Sequence, residues 1–236
     1  MKEHEHTSEA IRERLDHGPR TSYLRDWIYG GIDGAVTTFA VVSGVVGARL
    51  STNVILILGV ANLLADGFSM AAGNFAGTRA EREEFERLRA MEYRHIRDEP
   101  EGEREEVREI FRRKGFEGRD LERIVQVVCS DRDLWVRTML TDEHGLPHAI
   151  RSPLLAGGST MSAFLVCGFV PLVPFIFGLP RPFELSLVMT AAVFFAIGSA
   201  KSRWSVIPWW RSGIETLLIG SAAAGIAYCV GLLFAA

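Results

Sequence analysis

Five apolar stretches, interrupted once by a long and densely charged segment, decide most of what this 236-residue chain can become. They run roughly over 27–47, 53–77, 153–179, 183–200 and 214–236. A helix of ~20 apolar residues crosses the ~30 Å hydrocarbon core of a bilayer, and each stretch reaches or approaches that length. The expectation is an all-α, polytopic membrane protein with five transmembrane helices. Averages conceal this organisation: 48% hydrophobic residues and a formal charge of −3 describe neither the greasy part nor the charged one.

The stretches divide the chain into a polar tail over 1–24, spans one and two over 25–78, a charged helical segment over 79–150, and spans three to five over 151–236. The residues before the first apolar stretch include Arg12, Arg14, Arg20 and Arg25, and no small-residue cleavage site follows a short apolar core, so the tail is not read as a removed signal peptide. Cys129, Cys167 and Cys229 have no paired spacing, which points away from a disulfide framework or a thiolate zinc site. Arginines crowd the tail and the 79–151 region, while Lys201, Arg203 and Arg211 occupy the fourth connection. The first and third connections hold only Arg49 and Arg181. The positive-inside rule then places the N-terminus, the charged segment and the fourth connection in the cytoplasm, and the C-terminus on the opposite side. A cell membrane is the expected location.

One carboxylate stands where charge is costly. Asp33 lies inside span one, in GGIDGAVTTFAVVSGVVGA, at an expense of ~2.5–3.5 kcal/mol on the gentlest insertion scales. An ionisable residue there is a functional-site hypothesis by default. In span two, Asp66, Met70 and Asn74 fall four apart, so one helix face carries a carboxylate, a thioether and an amide. Each has a plainer reading: polar residues in spans often bridge neighbouring helices, and Met fills irregular gaps. Gly30, Gly31, Gly34, Ser43, Gly44 and Gly47 give span one a small face, suited either to a second subunit or to packing within the chain.

No Pro or Gly interrupts the sequence between Thr78 and Asp98, so the second span is expected to continue as a helix past the apolar stretch until Pro100 stops it. Further helices read over about 101–114, ended by Gly115, over 118–129, and over 131–144. Nearly half of this segment is charged, with both signs interleaved, as on a solvated helical surface. Val107, Ile110, Phe111, Leu121, Ile124, Val125 and Val128 nevertheless recur at helical spacing, which predicts a small folded domain. Glu92 with His95, Glu103 with Glu106, and Met139 with Glu143 each share a helix face. Carboxylates with an imidazole and a thioether suit a divalent first-row ion such as Fe(II) or Mn(II). In a segment so rich in glutamate, such pairs also arise by chance on a solvated face.

Other classes leave weaker traces. Glu92-Tyr93-Arg94-His95 is a Glu-x-x-His pair of the kind used in di-iron carboxylate centres, which would make the domain a ferroxidase, but such centres take two pairs and one is present. Ser159 and Ser199 follow glycines without a Gly-x-Ser-x-Gly elbow, and His144 and His148 flank the spans, which argues against an intramembrane hydrolase. A metal sensor without transport is a third reading. His4 and His6 could chelate metal from a tail position. Nothing suggests a nucleic-acid partner.

The motifs DWIYGGIDGAVTTFAVVSGVVGA, NLLADGFSMAAGNFAG, PLVPFIFG, AIGSAKSRW and WWRSGIETLLIGSAAAGIAYCVG together resemble the vacuolar iron transporter family, from about Arg25 to the C-terminus. The resemblance implies a homodimer of five-span subunits that exchanges cytosolic Fe(II), often also Mn(II), for protons, with the ion as cargo and no prosthetic group. It implies that Asp33 and Met70 line the translocation path at the dimer interface. It also implies that Glu92, Glu103, Glu106, Met139 and Glu143 collect metal in the cytoplasmic domain. His95 stands where the family pattern has Glu, Leu140 where a second Met can occur, and Asn74 where Glu is frequent. Imidazole can still bind either ion, Leu140 cannot, and Asn74 cannot carry a proton.

Overall fold

The computed structural model describes residues 6–17, 21–147, 149–202 and 206–234. His4, Arg20, His148 and Arg203, weighed above, lie outside them. Among the described residues the secondary structure is helical throughout: α1 (Ser8–His17), α2 (Leu24–Gly47), α3 (Thr52–Asp98), α4 (Pro100–Arg113), α5 (Gly118–Ser130), α6 (Arg132–Asp142), α7 (Pro153–Phe169), α8 (Val173–Ile176), α9 (Pro182–Lys201) and α10 (Trp209–Leu233). A single 3₁₀ turn joins α7 to α8. Five helical spans are long and apolar enough to cross a membrane: α2, the first part of α3, α7 through α8, α9 and α10.

The chain forms two compact units, Ser22–Gly77 with Ser152–Ala236, and Met1–Thr21 with Thr78–Arg151. Helix α3 is unbroken for 47 residues and contributes to both. It ends at Asp98, and Pro100 opens α4 at a position where its missing N–H costs nothing.

In the first unit α2 is the central element. A Cβ at Gly30 would lie 2.3 Å from the Thr160 carbonyl oxygen, and one at Gly34 would lie 2.4 Å from that of Phe164, so α2 and α7 touch backbone to backbone. Gly47 meets the Tyr228 carbonyl of α10 in the same way, at 2.6 Å. The small face of span one therefore serves packing within the chain, the second of the two readings it allowed. Phe39, Val42, Ile55, Leu63, Phe164 and Leu172 form the core. Large apolar side chains on the outer helices, among them Phe68, Val166, Val188, Leu218 and Ile226, stay exposed, as they should where the solvent is hydrocarbon.

The second unit has a core of Ile96 from α3, Val107 from α4, Leu121, Val125 and Val128 from α5, and Trp135, Val136, Met139 and Leu140 from α6. Gly115, at φ +93°, ends α4 in the left-handed region. Asp131 caps α6, its side chain accepting from the backbone N–H groups of Asp133 and Leu134. Arg108 of α4 pairs with Glu122 of α5 at 2.9 Å, and Arg132 donates to the Tyr93 carbonyl at 2.7 Å, fastening α6 to α3. These ties fix the face on which the acidic side chains meet.

Candidate metal-binding sites

In the charged unit, the helical spacing of α3, α4 and α6 brings one polar row from each to a common point. Glu92 is only 1% exposed and Glu103 only 5%, although both carry a charge in water. Oε1 of Glu92 lies 3.0 Å from Nε2 of His144, and Oε1 of Glu103 lies 3.2 Å from Nδ1 of His95. The remaining oxygens, Oε2 of Glu92 and Oε2 of Glu103, are buried and find no donor among the described residues. Glu143 completes the group, its Oε2 3.7 Å from His144 Nε2. Glu106 and Glu143 also line an open groove with Glu109, Arg113, Lys114 and Asp142, a way in from solvent.

Crowding of like charge in a dry place has a direct electrostatic consequence. Burial pushes the Glu103 carboxyl up to about 8, and repulsion from Glu92, Glu106 and Glu143 adds to the rise. The nearness of the Glu92 carboxyl, which a proton on Glu103 can bridge, adds the last and smallest part of the rise. Burial also raises Glu143, while the neighbouring His144 works the other way. A divalent cation would neutralise this cluster better than a proton does, and its oxygen and nitrogen donors suit a first-row ion.

Five of the six residues singled out in this unit thus gather: Glu92, His95, Glu103, Glu106 and Glu143. Met139 is placed differently. Its side chain is wholly buried in the apolar core of α3 to α6, and its carbonyl accepts from the N–H groups of Glu143 and His144. His144 was not singled out as a ligand. It lies two residues past the end of α6, and only its place next to Glu143 could have pointed to it.

In the membrane unit Asp33 is half-buried in the interior of α2, and no described residue hydrogen-bonds its carboxylate. Asp66 of α3 lies within electrostatic reach of it. Met70 is partly buried against the membrane core. Asn74, four residues on, is used structurally: its amide donates to Asp26 of α2 at 2.9 Å, to the Ala156 carbonyl at 3.2 Å and to Thr160 of α7 at 2.7 Å. Asn62 likewise donates to Thr37 at 3.1 Å. Asp26, 4% exposed, is a buried acid that the sequence analysis did not single out; it stands one residue before the apolar stretch that begins at 27.

The chain has known counterparts over most of its length. The sequence model of the VIT family matches residues 24–232. The chain belongs to the VIT family. It is 32% identical over 225 residues to the vacuolar iron transporter of Toxoplasma gondii, covering 90% of this chain and 74% of that protein. It is 30% identical over 225 residues to vacuolar iron transporter 1 of Arabidopsis thaliana, covering 92% and 90%. The vacuolar iron transporter of Plasmodium falciparum is 25% identical over 230 residues, with 92% and 84% covered. As a VIT family member with five apolar spans, the chain is a multi-pass membrane protein.

Proposed function

We propose that this VIT family protein moves Fe(II), with Mn(II) as a second cargo, out of the cytosol in exchange for protons. The reading is carried by Asp33, a carboxylate kept in the interior of a span with a second acid, Asp66, in reach and no hydrogen bond from a described residue to explain it. Relatives named as vacuolar iron transporters support the choice of ion. An unpaired acid in hydrocarbon persists where a cation or proton visits it. Met70 adds a soft donor, so a partly dehydrated first-row ion finds both charge and polarisability.

In this account the protein works as a homodimer in which Asp33 and Met70 of both subunits line one path. The charged unit collects metal from the cytosol through Glu92, His95, Glu103, Glu106 and Glu143, with Met139 as a further donor if its burial is relieved. The N-terminus and the charged unit face the cytosol, the C-terminus faces the other side, and the membrane is the cell membrane. Protonation of the facing carboxylates from the outer side releases the ion, because like charges at close range raise each other's proton affinity.

The test is uptake of Fe(II), Mn(II), Co(II) and Zn(II) into proteoliposomes with and without an opposing pH gradient. The account expects Fe(II) and Mn(II) entry that grows with the gradient. Metal binding without entry would leave a sensor instead, and oxygen-dependent Fe(III) formation without entry would leave a ferroxidase.

A further inference from the structure

We propose that His144 is a metal ligand of the charged unit, giving the site, together with His95, two imidazole nitrogens among its carboxylates. The proposal rests on reading this unit as the metal-collecting part of the protein, and it names the donor that sets which ions the unit prefers.

The geometry is that of a site rather than of a surface pair. Ligand atoms of Glu92, Glu143 and His144 all lie within 4.8 Å of one another. The His144 ring is 3.0 Å from Glu92 and 3.7 Å from Glu143, and it is mostly buried. Its backbone is fixed as well. The His144 N–H donates to the Met139 carbonyl at 3.2 Å, Gly145 turns the chain at φ +66°, and the Leu146 N–H returns to the Leu140 carbonyl at 2.9 Å. A ring held in this way loses little freedom on binding an ion.

An imidazole that only satisfied Glu92 would answer one of its two oxygens. The other, Oε2, is left bare in a side chain 1% exposed, as is Oε2 of Glu103 across the cluster. Buried carboxylate oxygens normally have partners. A cation seated among Glu92, Glu103, Glu143 and His144 supplies the missing partner for both acids and uses the imidazole as a neutral nitrogen donor. The chemical class of ion follows. Carboxylate-only sites suit Mn(II), Mg(II) and Ca(II), whereas imidazole suits iron and its later neighbours, so two nitrogens tilt this unit toward Fe(II) over Mn(II).

The experiment uses the full chain in lipid nanodiscs loaded with one equivalent of Mn(II), read by the ¹⁴N modulation of the electron spin echo. In the His95→Gln variant the modulation should persist, carried by His144, and it should vanish in His95→Gln/His144→Gln. Absence of modulation in the first variant, or its survival in the second, overturns the proposal. Anaerobic competition of Fe(II) against Mn(II) adds a second readout: His144→Gln should lower the Fe(II)/Mn(II) affinity ratio about tenfold, and an unchanged ratio removes His144 as a ligand. A chain whose Mn(II) binding is indifferent to Glu92→Gln and Glu103→Gln would defeat the metal-collecting reading itself. Binding that needs those acids but shows no nitrogen would defeat only the role of His144.

Discussion

The two units handle a buried acid in opposite ways. In the membrane unit Asp26 is met by the Asn74 amide at 2.9 Å, and the same amide reaches α7 through Thr160 and the Ala156 carbonyl. In the charged unit Glu92 and Glu103 are as deeply buried, yet each has an oxygen without a donor among the described residues and lies close to further acids. In the apolar unit, polar groups fasten helices together. Where water is one side chain away, like charges are concentrated instead. The first arrangement has the marks of structure, and the second is the one that the proposed metal-collecting role requires. Asp33 joins the second class although it sits in the first unit.

That contrast can be broken most decisively at Asp33. Asp33→Asn should reduce metal entry into proteoliposomes to background, with metal binding by the charged unit unchanged in calorimetry. If transport continues at the wild-type rate, the intramembrane carboxylate has no part in the mechanism. Above about pH 8, where Glu103 has lost its proton, Glu92→Gln should weaken metal binding about 10–100-fold while raising the thermal stability of the metal-free protein, since it removes one of two facing charges. A loss of both binding and stability would mark Glu92 as a structural residue like Asp26.

The proton on Glu103 sharpens the same distinction. Its folded value of about 8 stands above the ordinary carboxylate value of 4.5, so between these pH values the fold holds a proton that the unfolded chain has released. The metal-free charged unit should therefore be most stable below about pH 4.5 with respect to this group and lose that stability as pH rises through 8. Metal affinity should run the other way, climbing about tenfold per pH unit up to about 8 and then levelling, because the ion must displace the proton. Calorimetry across pH 5.5–9 checks the slope, and a flat profile would mean that Glu103 binds no metal. The smallest effect belongs to the structural acid's partner: Asn74→Ala should cost about 1–3 kcal/mol of stability in thermal unfolding and leave metal affinity in the charged unit unchanged.

What the sequence reveals about this molecule follows the physical range of each signal. Spans are set by local run length, and α2, α9 and α10 begin within a few residues of the apolar stretches that predict them. Helix ends set by Pro100 and Gly115 are equally local. The small face of span one was legible as a contact surface, but which helix it meets depends on the tertiary approach of α7 and α10. The row Asp66, Met70, Asn74 was legible as polar, whereas only the neighbouring positions of Asp26 and Thr160 turn Asn74 into a fastener. In the charged unit the i,i+3 pairs were visible and their convergence was not. Met139 shares a helix face with Glu143, yet that face is shared between the apolar core and the acidic site, and Met139 falls on the core side. His144 lies past the end of α6, beyond the reach of any helical periodicity.

The central claim is that the acid in span one is there for a travelling cation, and simultaneous recording of metal and proton flux across sealed proteoliposomes tests it most directly. The account predicts that Fe(II) entering wild-type vesicles drives protons out, that reversing the pH gradient slows entry, and that both signals vanish together in Asp33→Asn. Vesicles that remain impermeable to Fe(II) and Mn(II) under either gradient would contradict it.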